Sequence, residues 1–267
     1  VLWCMFGSFP DDAAVQWVGL QHDSPLMHHM LLREVPDGVF HEDGEVIDCL
    51  QLGAWWRVAP TVFEAVGQDF DNRDRWVNLP DGVGFMIESG QRWVLDTHWL
   101  NYSNEDTEVH VAMELGYLPL DELEHVAGTY NHDFSGLSIP SGQIHEEQFD
   151  CVWEEEVTLL SVGAHMHLFG YSYAVDWLKG DGSVQRILDV PEWEPEFRDE
   201  APGENFQPGS LVVQAGDAFR TTCTWQNDSD HILTFPEEMC TSFGVGYELP
   251  DNAWCQDGET SDHPAPM

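Results

Sequence analysis

Short apolar runs separated by turn residues set the hydrophobic pattern of this chain. The runs are rich in β-branched and aromatic residues, as strands are, and the clearest lie at residues 84–88, 92–96, 109–114 and 210–214. Turn signals interrupt the pattern at Pro80-Asp81-Gly82, Ser89-Gly90, Gly180-Asp181-Gly182 and Pro202-Gly203. The best candidate for a helix is a short segment, residues 54–66. Many short strands at this spacing are typical of β-sandwiches and barrels.

The same pattern predicts two domains. No period of 20–50 residues repeats along the chain, which disfavours solenoids and propellers. A break near residues 119–124 divides the chain into residues 1–120 and 121–267, and each part is long enough for one sandwich. The predicted fold class is therefore all-β, with two tandem antiparallel β-sandwich domains.

The charge of the chain limits its partners. It carries 49 acidic and 9 basic residues among 267, a formal net charge of −40. Because Coulomb repulsion would oppose any encounter with phosphate groups, nucleic acid and anionic membrane surfaces are poor candidates. No apolar run approaches the ~18 residues of a membrane span. Lys179 is the only lysine. A lysine-poor acidic surface stays hydrated in high salt, which predicts a saline environment; the alternative is a secreted acidic protein in ordinary medium.

Six cysteines indicate an oxidising compartment. None forms a CxxC pair, which argues against a zinc ribbon or a thioredoxin-type site. An even number of scattered cysteines is typical of secreted or periplasmic disulfide proteins. The six are Cys4, Cys49, Cys151, Cys223, Cys240 and Cys255. Many connectivities are possible for six cysteines, and the spacing alone does not choose among them.

The chain contains 13 histidines, and two pairs of them have the spacing of metal ligands. His165 and His167 are two residues apart, so on a strand they project from the same face, roughly 6–7 Å apart along the chain. The adjacent residues His28 and His29 would point to opposite faces of a regular strand, and they can share an ion only where the backbone bends or bulges. On the residues alone, both pairs are equally compatible with ordinary surface or core histidines.

Four motifs occur in one order along the chain. They lie between Trp3-Cys4 near its start and Cys255 near its end, and these cysteines belong to the same pattern. The motifs are Met27-His28-His29-Met30, Leu95-Asp96-Thr97-His98, His165-Met166-His167-Leu168 shortly before Gly170, and Glu238-Met239-Cys240. This ordered set resembles the copper type II, ascorbate-dependent monooxygenases, the family of peptidylglycine α-hydroxylating monooxygenase and dopamine β-monooxygenase. Each motif is modest by itself, and the specificity lies in their order and spacing.

The resemblance implies two copper ions per chain. Three histidines match the ligands of the electron-transferring copper: His28, His29 and His98. Two histidines and a methionine match the ligands of the copper at which dioxygen binds: His165, His167 and Met239. Imidazole suits both oxidation states of copper, and a thioether favours Cu(I). The implied fold is a pair of jelly-roll-like sandwiches with one copper on each, facing across a cleft. The implied reaction is hydroxylation of a C–H bond by dioxygen, with ascorbate as the reductant.

The resemblance also implies how the cysteines pair. The family pattern joins Cys4 to Cys49, Cys151 to Cys255, and Cys223 to Cys240. This pairing leaves no free thiol, so the cysteines are not expected to bind metal.

The chain departs from the family at positions that select the substrate. The peptidylglycine enzyme has an arginine two residues before the first histidine of HxH, where it anchors the substrate carboxylate; here that residue is Gly163. Phe243 stands in place of a tyrosine, and Thr241 in place of an asparagine. We therefore expect no amidation of glycine-extended peptides. A small neutral or cationic substrate with an apolar or aromatic reacting part is expected instead.

Two other functions remain open on the sequence. One is a non-enzymatic copper-binding or copper-sensing protein that keeps the ligands but not the substrate pocket. The other is a ligand-binding sandwich module in which the histidines are incidental. Among the remaining histidines, His110 and His231 are candidates to support the metal ligands. The acidic groups at residues 154–156 and 237–238 are interpreted as solvated surface.

Overall fold

The computed structural model describes residues 2–22, 27–52, 61–66, 75–99, 101, 105–198, 201–249 and 253–261. Strands account for most of this part of the chain, and its only helices are three 3₁₀ turns: Cys49–Gln51, Leu120–Glu122 and Pro195–Arg198. The all-β prediction is confirmed. The chain separates into two compact units, which divide between Val126 and Ala127.

The first unit contains nine described strands. They are β1 (Leu2–Ser8), β2 (Ala13–His22), β3 (Met27–Glu34), β4 (Val46–Asp48), β5 (Thr61–Val66), β6 (Arg75–Asn78), β7 (Val83–Ile87), β8 (Arg92–Trp99) and β9 (Val111–Leu118). Five of them form an antiparallel sheet in the order β4-β1-β8-β3-β5. Strand β2 is the centre of a second set, because it pairs with β6, β7 and β9.

Strand β1 shows how the sequence builds the core of this unit. Side chains alternate along a strand, so Cys4 and Phe6 are buried while Trp3 and Met5 are exposed. A disulfide joins Cys4 to Cys49, and both cysteines lie in a buried cluster with Phe6 and Val94. The cross-link therefore ties the chain that follows β4 to the central strands.

The second unit contains the remaining strands. They are β10 (His125–Asp133), β11 (Gln143–Val152), β12 (Val157–Leu159), β13 (Ser161–His165), β14 (Gly170–Leu178), β15 (Val184–Val190), β16 (Gly203–Asn205), β17 (Val212–Val213), β18 (Ala218–Asn227), β19 (Thr241–Tyr247), β20 (Ala253–Gln256) and β21 (Glu259–Ser261). Four of them form an antiparallel sheet in the order β11-β18-β14-β15. In another sheet β19 pairs with β10, β12 and β13.

Both sheets of the second unit contribute to one hydrophobic core. Tyr130 on β10 and Val162 on β13 belong to the same buried cluster as Tyr173, Phe219 and Trp225 on the four-stranded sheet. The other two disulfides, Cys151–Cys255 and Cys223–Cys240, lie within this cluster. All six cysteines are paired as the family resemblance implies, and three disulfides indicate an oxidising, extracellular or periplasmic environment.

Most of the predicted strands and turns are present, and two local predictions are wrong. Gly90 and Gly182 have φ angles of +82° and +85°, a conformation that favours glycine in the turns predicted there. The helix predicted at residues 54–66 is wrong over Thr61–Val66, which forms β5 and pairs with β3; residues 54–60 lie outside the described part. The turn predicted at Pro202-Gly203 is also wrong, because Gly203 begins β16.

No helix within the described ranges has the length and apolar character needed to cross a membrane.

Removing the Cys4–Cys49 disulfide should destabilise the first unit. The bond closes a stretch of 45 residues, and its loss raises the entropy of the unfolded chain. We expect the Cys4→Ala/Cys49→Ala variant to lose roughly 2–5 kcal/mol of unfolding free energy, measured by urea unfolding under non-reducing conditions. An unchanged unfolding free energy would show that the cross-link does not constrain this unit.

Candidate metal centres

The two histidines of the HxH motif lie together at the end of β13. The strand ends at His165, and His167 follows two residues later. The imidazole rings are 5.0 Å apart between centroids and nearly perpendicular, with an interplanar angle of 85°. Both side chains are half-buried. Two imidazoles are thus close together, a spacing that permits shared binding of one ion.

Hydrogen bonds fix the orientation of His167. Its Nδ1 lies 3.0 Å from the carbonyl oxygen of Glu237, and because a carbonyl can only accept, Nδ1 must carry the proton. The backbone carbonyl of His167 accepts a hydrogen bond from Trp193 Nε1 at 3.0 Å. In a neutral imidazole with this proton on Nδ1, the lone pair is on Nε2, which is the tautomer that a metal-binding imidazole needs.

The segment that carries Met239 lies beside this pair. The antiparallel ladder between β13 and β19 ends where His165 is opposite Thr241. Beyond it, His167 contacts Glu237 and Glu238, the two residues before Met239. Cys240 anchors the Met239 segment through its disulfide to Cys223 on β18. The donor set here is two imidazoles and a thioether, which suits copper.

Glu238 directly precedes Met239 in the chain. The sequence predicted that it is solvated surface, and this prediction is wrong. Its side chain is 0% exposed, whereas that of Glu237 is exposed and bonds to His231 Nε2 at 3.0 Å. Burial raises the pKa of Glu238, and hydrogen bonds from the N–H groups of Phe169 and His167 act in the opposite direction. Its two backbone partners are 69 and 71 residues distant in sequence, and its third partner, Trp225, lies on another strand, so no local pattern could have identified it.

In the first unit, the backbone has the irregularity that the adjacent histidines require. Met27 pairs with Trp99 on β8, but His29 pairs with His98, so His28 is an extra residue on β3. At such a bulge two residues oppose one, and strict alternation of the side chains is lost. His29 and His98 are therefore direct neighbours on the ladder, and His98 is half-buried. The side chains of His28 and His29 lie outside the described part of the structure.

The described side chains do not by themselves form a metal cluster of histidine, cysteine and carboxylate groups. Among the described residues, no group of three or more histidine, cysteine, aspartate or glutamate side chains is placed to hold a metal ion. The candidate set of the second unit has only two such residues, since its third donor is the thioether of Met239. The set of the first unit includes two side chains beyond the described part.

Gly163 and Phe243, the positions predicted to select the substrate, are next to each other. They are opposite each other on β13 and β19, and a Cβ atom added to Gly163 would lie 2.8 Å from Cζ of Phe243. The Phe243 ring thus covers the space in which any side chain at position 163 would begin, while part of the ring remains exposed. Thr241 is buried, and its hydroxyl donates to Asp133 Oδ1 at 2.5 Å.

Of the two histidines predicted to support metal ligands, His231 is linked to His167 through Glu237. Hydrogen bonds to Glu237 and Asp230 raise the pKa of His231, and the carbonyl of Glu237 holds His167. His110 is exposed and lies 3.5 Å from Glu108. Sequence reasoning missed His132, a buried histidine that contacts the rings of Tyr130 and Trp153.

Comparisons with known proteins do not show a family. No family profile matches the chain, and no curated protein matches it. Among solved structures, the chain is similar to the VP2 subviral particle of infectious bursal disease virus, with 10% identity and a TM-score of 0.23 over 89% of this chain. It is also similar to the structure of the Gx strain of that virus, with 8% identity and a TM-score of 0.21 over 92%. The chain spans 58% and 66% of these two structures. Similarities this weak carry no conclusion about fold or function.

Proposed function

We propose that this protein is a copper-dependent monooxygenase that hydroxylates a C–H bond of a small substrate with dioxygen, using ascorbate as the reductant. The His165–His167 pair beside the segment of Met239 supports the proposal, because two imidazoles and a thioether suit copper and the Glu237 carbonyl selects the tautomer of one imidazole. The proposal extends to the architecture: each unit is a jelly-roll-like sandwich with one copper.

The residues present fit copper in both units. In the second unit His165, His167 and Met239 would hold the ion at which dioxygen reacts. In the first unit three histidines would hold the second ion: His28, His29 and His98. The bulge at His28 supports this set, since adjacent histidines on a regular strand could not share an ion. Copper, when bound, supplies the one-electron steps of dioxygen activation, and ascorbate returns it to Cu(I).

The chain's own residues orient the ligands and shape the site. The carbonyl of Glu237 holds the proton on Nδ1 of His167, so that Nε2 would be the atom that binds the ion. The Cys223–Cys240 disulfide restrains the segment that carries Met239. The exposed part of the Phe243 ring offers an apolar surface close to His165, because His165 and Phe243 lie two positions apart on the β13–β19 ladder.

This geometry supports a substrate that is neutral or cationic. An arginine at position 163 would have to displace the Phe243 ring, so the site has no fixed cation there to bind a carboxylate. The net charge of −40 repels anions at low salt. We propose an apolar or aromatic reacting part, which would pack against Phe243. A secreted location in a saline environment is part of the same proposal, and rests on the disulfides and the acidic, lysine-poor composition.

An oxygen-uptake panel tests this proposal. The copper-loaded chain is given ascorbate and one of three substrate classes at two salt concentrations: aryl-ethylamines, neutral aromatics or glycine-extended peptides. We expect uptake with an amine or a neutral aromatic, and with glycine-extended peptides no uptake above the substrate-free rate. Efficient peptide amidation would contradict the roles given to Gly163 and Phe243. Copper binding with no uptake across the panel would favour the non-enzymatic copper-binding function.

A further inference from the structure

The carboxylate of Glu238 is fully buried and makes three hydrogen bonds, all as the acceptor. Its Oε2 accepts from the backbone N–H of His167 at 2.9 Å and from Nε1 of Trp225 at 3.1 Å. Its Oε1 accepts from the backbone N–H of Phe169 at 2.7 Å. Burying a carboxylate is costly unless hydrogen bonds compensate it. Three donors aimed at the two oxygens supply that compensation.

These bonds connect the two segments that carry the candidate copper ligands. His167 and Phe169 belong to the turn after β13, which lacks ladder partners for its N–H groups, so Glu238 satisfies donors that would otherwise be buried and unpaired. Glu238 itself lies between Glu237, whose carbonyl orients the imidazole of His167, and Met239. The third donor, Trp225, is fully buried on β18, two residues beyond the disulfide-bonded Cys223.

We propose that Glu238 is a positioning residue for the second copper site, an inference that rests on the proposed function. Its carboxylate holds the HxH turn against the segment that carries the thioether, so that the distance between the imidazoles and Met239 is set before metal arrives. Besides Glu238, the two segments are joined by the bond between His167 Nδ1 and the Glu237 carbonyl and by the β13–β19 ladder, which ends at His165 and Thr241. Residues that orient metal ligands typically contribute about 10–100-fold to metal affinity.

The substitution Glu238→Gln tests this role with little change in shape. Whichever way the amide is turned, its NH₂ group faces a backbone or indole N–H, so at least one of the three bonds is lost. Asp217 provides a matched control in the same unit. Its buried carboxylate also accepts from one indole, Trp177 Nε1 at 2.8 Å, and from two backbone N–H groups, those of Gly180 and Gln214.

Four measurements on the full chain separate positioning from simple destabilisation: thermal unfolding, Cu(I) titration, the electron paramagnetic resonance spectrum after oxidation to Cu(II), and hydrogen exchange of the metal-free protein. We expect both Glu238→Gln and Asp217→Asn to lower the melting temperature. Only Glu238→Gln should weaken one of the two coppers, by about 10–100-fold, and change one of the two Cu(II) signals. In metal-free protein, only Glu238→Gln should accelerate hydrogen exchange at the amides of His167 and Phe169.

The outcomes are distinct. Wild-type copper affinity and spectrum in a folded Glu238→Gln variant would overturn the positioning role, as would equal weakening by Asp217→Asn. If Glu238→Gln does not fold, the same titration on Glu238→Asp decides, because its shorter carboxylate cannot reach both backbone N–H groups. If the wild-type chain itself binds no copper in the second unit, the proposed function fails, and the exchange rates still report whether Glu238 joins the two segments.

Discussion

Replacing His167 by alanine will remove one of the two coppers and reduce ascorbate-dependent oxygen uptake to background, while the other copper stays bound. The effect should be complete because two imidazoles and a thioether are the whole donor set, and a site with one imidazole and one thioether holds copper poorly. The change is measured as copper per chain after dialysis, together with oxygen uptake in the presence of ascorbate.

The complementary variant is His98→Ala, which should lose the other copper and keep the one in the second unit. Each variant is the control for the other, because the ligand sets lie in separate units. His110→Ala, which changes an exposed histidine outside both sets, should retain two coppers. Two bound coppers of unchanged affinity in His167→Ala would contradict the ligand assignment.

The second large effect concerns acid stability and the buried His132. Its ring lies 4.9 Å from that of Tyr130 and 5.1 Å from that of Trp153, and its Nδ1 has no hydrogen-bond partner. Burial lowers the pKa of His132 to about 3 from its ordinary 6.5. The neutral form is therefore favoured in the folded state. His132 therefore contributes to the unfolding free energy above pH 6.5. This contribution, roughly 4–5 kcal/mol in total, is lost as the pH falls towards 3.

The neighbouring Asp133 acts in the opposite direction. Burial raises its pKa to about 6, against a hydrogen bond from Thr241 that lowers it. Because the protonated form is favoured in the folded state, the folded state gains stability as the pH falls through 6, by roughly 3 kcal/mol in total. The two contributions nearly cancel in the wild-type chain between pH 6.5 and 4, so only variants can separate them.

We compare the unfolding free energy of His132→Phe with that of the wild type. We expect this difference to rise by roughly 3 kcal/mol as the pH is lowered from 7.5 to 4. The phenylalanine ring suits the aromatic surroundings and cannot be protonated. The corresponding difference for Asp133→Asn should fall over the same range. Urea unfolding at both pH values measures each difference, and the many other carboxylates cancel in it. A His132→Phe difference that does not depend on pH would show that His132 is not buried in its neutral form.

The pattern of short β-branched and aromatic runs predicted β7 and β8, which the runs at residues 84–88 and 92–96 overlap. The helix predicted over Thr61–Val66 is wrong because a short apolar segment fits both the helical period and the strand period. Pairing with β3 makes this segment a strand. The register shift at His28 also depends on a partner strand, so the sequence could state the requirement for a bulge but not its presence.

The candidate site likewise depends on contacts between residues that are far apart in the sequence. Motif order indicated which residues could bind metal, and the disulfide pairing that the resemblance implied is confirmed. The burial of Glu238 could not be predicted, because its donors come from β18 and from the turn after β13. The contact between Gly163 and Phe243 was equally hidden, although both positions had been identified, since only the β13–β19 register places them opposite each other.

Anomalous diffraction at the copper edge, from crystals of the copper-loaded chain, tests the central claim most directly. We predict two anomalous peaks per chain. One should lie within bonding distance of His28, His29 and His98, and the other within bonding distance of His165, His167 and Met239. A chain that takes up copper with no peak at either ligand set, or with peaks elsewhere, would contradict the proposed copper sites and the monooxygenase function that depends on them.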